Sequence, residues 1–165
     1  MKKVIVLAAV ALLLFSASAF AETGIGVSAH YPIGYYFWGD EQVEFEDFSV
    51  GATIRSKQSI LLLDVAALYP LAGFAVAGLA DVGLCLDLFM FRIALVGGVD
   101  AIYFFSTENF YWGTNIKANV DLKLGPATIG LSGVMPLTVF LSDDNTQLDA
   151  LSYFAGVSLN AIFWF

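Results

Sequence analysis

The chain has 165 residues and a very apolar composition, with 59% hydrophobic and 13% charged residues and a formal net charge of −8. An acidic chain lacks the basic face that nucleic-acid binding requires, so nucleic acid is excluded as a partner. The single cysteine, Cys85, excludes an internal disulfide framework and a multi-cysteine metal site. The sequence predicts neither a metal site nor a cofactor.

The N-terminus has the three-part layout of a secretory signal peptide. Two lysines form its positive start, residues 4–15 are an apolar run, and residues 19–21 read Ala-Phe-Ala, a small-x-small cleavage site. We therefore expect residues 1–21 to be removed, with cleavage after about Ala21. Five basic residues then remain against fifteen acidic ones. An exported chain that is both acidic and strongly apolar is better explained as a membrane protein than as a soluble one.

Helices and closed β-barrels both cross a bilayer, because each satisfies its own backbone hydrogen bonds. Residues 60–105 are the most ambiguous stretch, since they are nearly continuous in apolar residues. Two membrane helices there would carry several central charges, and each would cost about 2.5–3.5 kcal/mol. A helical inner-membrane protein is the alternative to a barrel.

Alternation with a period of two favours strands. Residues 81–88 place Asp, Gly, Cys and Asp on one face and Val and three Leu on the other. Residues 115–123 alternate between polar and apolar without a break, meet a Gly-Pro turn and resume at residue 127. Such alternation is typical of a strand with one polar and one apolar face.

Residues 22–165 are thus predicted to form an all-β, eight-stranded antiparallel transmembrane β-barrel. The predicted strands are 23–33, 45–56, 58–69, 79–88, 91–104, 110–124, 127–137 and 150–165. Most have the length that a tilted strand needs to cross a bilayer. Tight turns are predicted near Lys57, 89–91 and 125–126, and longer connections near 34–44, 70–78, 105–109 and 138–149. Short turns that alternate with longer loops are typical of outer-membrane barrels.

Aromatic residues are predicted to form two girdles at the membrane interfaces, where an amphipathic ring is most stable. The outer rim would hold Tyr31, Phe48, Tyr69, Tyr103, Tyr111, Trp112, Phe140 and Tyr153. The periplasmic rim would hold Phe89, Phe91, Phe163, Trp164 and Phe165.

The final strand, which ends in Phe163, Trp164 and Phe165, resembles the closing strand of bacterial outer-membrane β-barrels. In those proteins the closing strand ends on an aromatic residue and is read by the barrel assembly machinery. By length, strand count and closing strand, the chain resembles the small eight-stranded group that includes OmpX, OmpW and the OmpA membrane domain. No family-specific motif carries the resemblance, and segment 70–78 is more apolar than is usual there. The resemblance implies the bacterial outer membrane as location, and its lipid and the assembly machinery as partners.

The predicted inward positions hold a network of charged residues: Arg55, Asp64, Asp81, Asp87, Arg92, Asp100, Lys117, Asp121 and Lys123. Eight strands leave an interior that side chains fill, and buried charges need partners. The near balance of charge predicts a salt-linked plug, with a gated ion path as the alternative. Inward glycines are expected to make room for the long basic side chains; they are Gly24, Gly26, Gly51, Gly83, Gly98, Gly130 and Gly156.

No enzymatic activity is expected. Ser28 and His30 share a face, but their order is the reverse of the His-x-Ser of PagL, a lipid A deacylase, and the sequence shows no acid partner. We expect a monomer with a structural or surface-interaction role. The resemblance to OmpW implies, as the rival, a hydrophobic path for small apolar molecules. The predicted outer loops are acidic, with Asp40, Glu41, Glu44, Glu46, Asp47, Glu108, Asp143, Asp144 and Asp149.

Overall fold

A computed structural model describes residues 22–33, 48–71, 73, 75–137 and 152–165. The predicted signal peptide, Phe140 and all the predicted loop acids except Glu108 lie outside these ranges. No helix in the described ranges is long and apolar enough to cross a membrane.

Eight strands form a closed antiparallel barrel in which each strand pairs with its sequence neighbours and the first pairs with the last. This confirms the predicted fold as an all-β, eight-stranded antiparallel barrel. The strands are β1 (Glu22–Tyr31), β2 (Ser49–Gln58), β3 (Leu61–Pro70), β4 (Ala75–Leu88), β5 (Phe91–Phe104), β6 (Asn109–Leu124), β7 (Ala127–Pro136) and β8 (Gly156–Trp164).

The two ends of the barrel differ. One end, which we call the turn end, carries the tight turns at residues 59–60, 89–90 and 125–126. The first residue of each turn has a left-handed backbone, at Ser59, Phe89 and Gly125. Positive φ at this position gives turns whose twist matches that of the flanking strands. The opposite end, the loop end, carries the connections 71–74 and 105–108.

Two predicted elements were wrong in extent. The connection predicted over 70–78 is short, because Ala75–Gly78 already belong to β4. These residues alternate small inward side chains with an exposed Val76, so they extend the wall of the barrel. The final strand begins at Gly156 rather than at residue 150, because residues 152–155 turn inward instead.

Inside and outside are reversed relative to a water-soluble barrel. Along β3, the exposed positions include Leu61, Leu63 and Val65, whereas Asp64 is buried in the interior. Apolar and polar side chains occupy separate parts of the lumen. An apolar cluster fills the loop end and a second fills the turn end, and charged and amide side chains form a polar belt between them.

Candidate functional site

The polar belt is built around a chain of ion pairs. The Arg55 guanidinium lies 2.9 Å from Asp64 through Nε and 2.7 Å from Asp121 through Nη1. The Lys117 ammonium lies 2.9 Å from Asp64 and 3.5 Å from Asp81. Arg55 on β2 therefore reaches across the lumen to β6, and its two partners fix it there. Because a buried charge without a partner is strongly destabilising, this chain ties opposite walls of the barrel together.

Neutral side chains complete the coordination of the chain. Thr53 donates a hydrogen bond to Asp64 at 3.2 Å, and the Asn119 amide donates to the same carboxylate at 3.4 Å. Arg55 Nη2 lies 3.4 Å from the hydroxyl of Ser132, which also accepts from the Asn160 amide at 2.6 Å. These contacts orient the charged groups, so the plug is a connected network rather than a set of separate pairs.

Asp100 stands apart from this network. It is buried on β5, yet no Lys or Arg in the described ranges lies within ion-pair distance of it. Neither of its carboxylate oxygens has a hydrogen-bond partner. The sequence predicted an inward Asp100, and the structure places it inward, but at the end of the ion-pair chain rather than within it.

A second charged cluster closes the turn end. Arg92 lies 2.7 Å from Asp87 and 2.7 Å from Glu22, and its guanidinium sits 4.1 Å above the ring of Trp164. Asp87 also forms an ion pair with Lys57 at 2.9 Å and a longer one with Lys123 at 3.8 Å. A cavity of about 490 Å³ opens beside this cluster, bordered by Arg92, Lys123 and Trp164 among others. Asp87 and Lys123, both predicted as interior residues, therefore lie at a mouth of the lumen.

Sequence reasoning missed two members of this turn-end cluster. Lys57 was assigned to a turn, but β2 continues to Gln58 and places Lys57 inside the mouth. Glu22 was left out of the network altogether. Trp164, expected in the periplasmic girdle, turns into the lumen and donates a hydrogen bond to Thr128 at 3.0 Å. Trp164 lies an even number of residues after Ser158 and Asn160, which point inward, so the alternation of β8 alone predicts that Trp164 also points inward.

A stopper formed by Tyr153 and Phe154 fills the loop end. Both side chains have 0% exposure and pack against alanines and leucines of the wall. His30 Nε2 lies 3.0 Å from the carbonyl oxygen of Tyr153, so this nitrogen carries a proton and donates it. The Tyr153 hydroxyl is hydrogen-bonded to Ser49. The expectation that Tyr153 lies in the outer aromatic girdle was wrong, because residues 152–155 fold into the mouth of the barrel.

No hydrogen bond joins Ser28 to His30. Ser28 donates a hydrogen bond to the side chain of Asn160 at 2.8 Å, and His30 Nδ1 accepts one from Ser158 at 3.0 Å. A nucleophile needs its base within hydrogen-bond reach, so this arrangement gives no Ser–His pair. Both side chains act instead as links between β1 and β8.

The inward glycines have a different role from the one predicted. A methyl group added at Gly51 or Gly83 would collide with the backbone of the adjacent strand, and one added at Gly98 or Gly130 would also meet an aspartate. At none of the seven is a Lys or Arg among the nearest atoms. Most of these glycines therefore allow the backbone of the neighbouring strand to approach closely, whereas Gly24 and Gly156 leave room for the side chains of Trp164 and His30.

Comparisons with protein-family models and with curated proteins give no match. Within the described ranges, no group of three or more His, Cys, Asp or Glu residues is arranged to hold a metal ion.

Proposed function

We propose that this chain is a small bacterial outer-membrane β-barrel protein that has a structural or surface-interaction role, a closed lumen and no enzymatic activity. The observation that carries the proposal is the outward face of the wall. Large apolar side chains point outward from all eight strands, among them Leu95 at 57%, Leu131 at 57% and Leu159 at 54% exposure. A contiguous apolar surface of this extent is rare on soluble monomers and marks a membrane or protein contact.

The interior supports the same proposal. A barrel in water buries its apolar side chains and exposes its polar ones, whereas this barrel encloses Arg55, Lys117 and four aspartates. Lipid provides the solvent that the outward face requires, and the closed strand ladder leaves no unpaired edge in it. The ion-pair chain and the stopper of Tyr153 and Phe154 both obstruct the lumen. A structural or surface role fits a blocked barrel better than an open pore does.

Recognition by the barrel assembly machinery and the monomeric state remain part of the proposal. Phe163 and Phe165 stand on the outward face at the end of β8, exposed by 56% and 69%. An assembly factor could read these two rings, whereas Trp164 is withdrawn into the lumen.

The test uses two native tryptophans that face opposite ways. Trp112 is exposed on the outer wall, and Trp164 is inside the lumen; Trp38, outside the described residues, is replaced by Phe in both variants. With the folded protein in vesicles of brominated phosphatidylcholine, we expect fluorescence of the variant that keeps only Trp112 to fall at least about twofold. The variant that keeps only Trp164 should change little. Equal quenching of both, or of neither, contradicts a lipid-facing wall.

A second candidate function is the binding or passage of small apolar molecules. The loop-end cluster is lined by small side chains such as Ala66, Ala75 and Ala77, and the aromatic stopper occupies the space between them. Removing the stopper would leave an apolar chamber, and such chambers bind apolar molecules.

The double variant Y153A/F154A tests this second candidate. We expect the variant, released from detergent in native mass spectrometry, to retain a medium-chain alcohol, and the wild type to retain less of it. The matched control is F105A, which truncates an exposed ring outside the lumen. If Y153A/F154A folds but retains no more alcohol than F105A does, the chamber is not a binding site.

A further inference from the structure

The charges of the polar belt alternate in sign along the lumen, and the alternation breaks at its end. Arg55 links Asp121 to Asp64, and Lys117 links Asp64 to Asp81. The next carboxylate is that of Asp100, which is 1% exposed and has no basic partner in the described ranges. Two buried negative side chains therefore follow each other with no positive charge between them.

The register of the sheet places three polar residues next to Gly98, a position that has no side chain. Gly98 on β5 pairs with Asp81 on β4 and with Asn115 on β6. Asp100 is the next inward residue on β5. A methyl group built on Gly98 would lie 2.7 Å from Asp81 Oδ1, so this oxygen extends over the glycine. The amide of Asn115 interacts with the carboxylate of Asp81, and Asp81 is close enough to Asp100 for the two negative charges to repel each other.

Several polar atoms of these three residues have no hydrogen-bond partner. Asp81 Oδ1, both carboxylate oxygens of Asp100 and both amide atoms of Asn115 are buried and lack a hydrogen-bond partner. The donors nearest to the Asp100 carboxylate are two backbone N–H groups, its own and that of Gly113. Most buried polar groups are paired, and an isolated buried carboxylate is costly. These residues contribute four unpaired buried oxygens, three of them from carboxylates, and a bound cation would offset the cost of burying them.

We propose that a hard alkali cation, Na⁺ or K⁺, binds in the lumen between Asp81, Asp100 and Asn115. Carboxylate and amide oxygens are the ligands that hard cations prefer. The site restores the alternation, because the cation would stand between Asp81 and Asp100 as Lys117 stands between Asp64 and Asp81. Three side chains offer fewer donors than the six to eight oxygens of a Ca²⁺ site, so a monovalent ion fits better. The inference concerns the lumen and does not depend on the membrane location.

The test is the thermal stability of the full-length folded barrel in detergent with a chelator of divalent ions. Unfolding is followed by circular dichroism in NaCl, KCl or choline chloride at equal ionic strength, because choline is too large for the site. A cation that binds the native state raises the midpoint by mass action. We expect the midpoint in NaCl or KCl to exceed that in choline chloride by about 5 °C. Equal midpoints in all three salts overturn the proposal.

Three variants test whether the difference in midpoint between salts arises at this site or at acidic residues elsewhere in the chain. D100N removes one ligand charge and should abolish the difference between salts, whereas N115D adds a carboxylate and should enlarge it. The control D87N makes the same chemical change on the strand of Asp81 but outside the site, and should keep the wild-type difference. A D100N variant that keeps the difference overturns the proposal. So does an N115D variant whose midpoint falls equally in every salt, since a proton would then occupy the gap.

Discussion

Replacing Arg55 with leucine should lower the free energy of unfolding by about 3–5 kcal/mol, because the change leaves two buried carboxylates without their shared partner. Arg55 holds Asp64 and Asp121 at 2.9 and 2.7 Å, and all three are almost fully buried. Asp64 keeps Lys117 as a partner, but Asp121 has no other basic side chain within ion-pair distance in the described ranges. The measurement is reversible urea unfolding of the barrel in lipid vesicles.

Two further variants make this prediction specific. The double variant R55L/D121L removes one charge of each sign and leaves the Asp64–Lys117 pair intact, so it should recover at least half of the lost stability. K123L removes a basic residue that is partly exposed and 3.8 Å from Asp87. Partly exposed pairs contribute about 0–1 kcal/mol, so K123L should cost less than about 1 kcal/mol. If R55L costs no more than K123L, the network does not hold the barrel together.

Replacing Gly51 with alanine should lower the free energy of unfolding by about 1–3 kcal/mol or prevent folding, as overpacking does in tight cores. The added methyl group would collide with the carbonyl oxygen of Ala67 on β3 and lie 3.0 Å from the Cα atom of Leu68. Backbone atoms cannot move aside as a flexible side chain can. To relieve the contact, β2 and β3 would have to separate, and the strand ladder would weaken there.

Gly133 provides the matched control. It also lies within a strand, but it faces outward, and a methyl group there would meet nothing within 4 Å. G133A should therefore change stability by less than about 1 kcal/mol, in the stabilising direction, because alanine restricts the unfolded chain. The comparison uses the same unfolding experiment. Equal losses for G51A and G133A would mean that close strand approach at Gly51 is not required.

The strands, and whether most side chains point into the lumen or outward, could be predicted because period-two alternation is a local property of the sequence. In residues 115–123 each polar side chain points inward, and the alternating partners point outward. The same parity extends through Ser158 and Asn160 to Trp164, so its inward position was also present in the pattern. It was missed because an aromatic residue near a strand end was assigned to the membrane interface by type rather than by parity.

The stopper and the ion-pair geometry could not be predicted in this way. Tyr153 and Phe154 enter the mouth because His30, Ser49 and the apolar wall accept them there, and these partners are far away in sequence. The involvement of Lys57 depended on where a turn begins, and turn boundaries shift by a few residues in any sequence-based assignment. Which aspartate receives which basic residue depends on tilt and register, which the spacing of charges does not specify.

The pairing of β1 with β8 has a consequence for how the molecule forms. Ser28 and Asn160 join across this seam although they are 132 positions apart in the chain, whereas each of the other ladders joins consecutive strands. Loop-closure entropy makes the seam the costliest contact to form early, so we expect it to form last. Until then both β1 and β8 present unpaired backbone edges, which other chains can extend by strand addition. The interval before the seam closes is therefore when the protein is most open to aggregation.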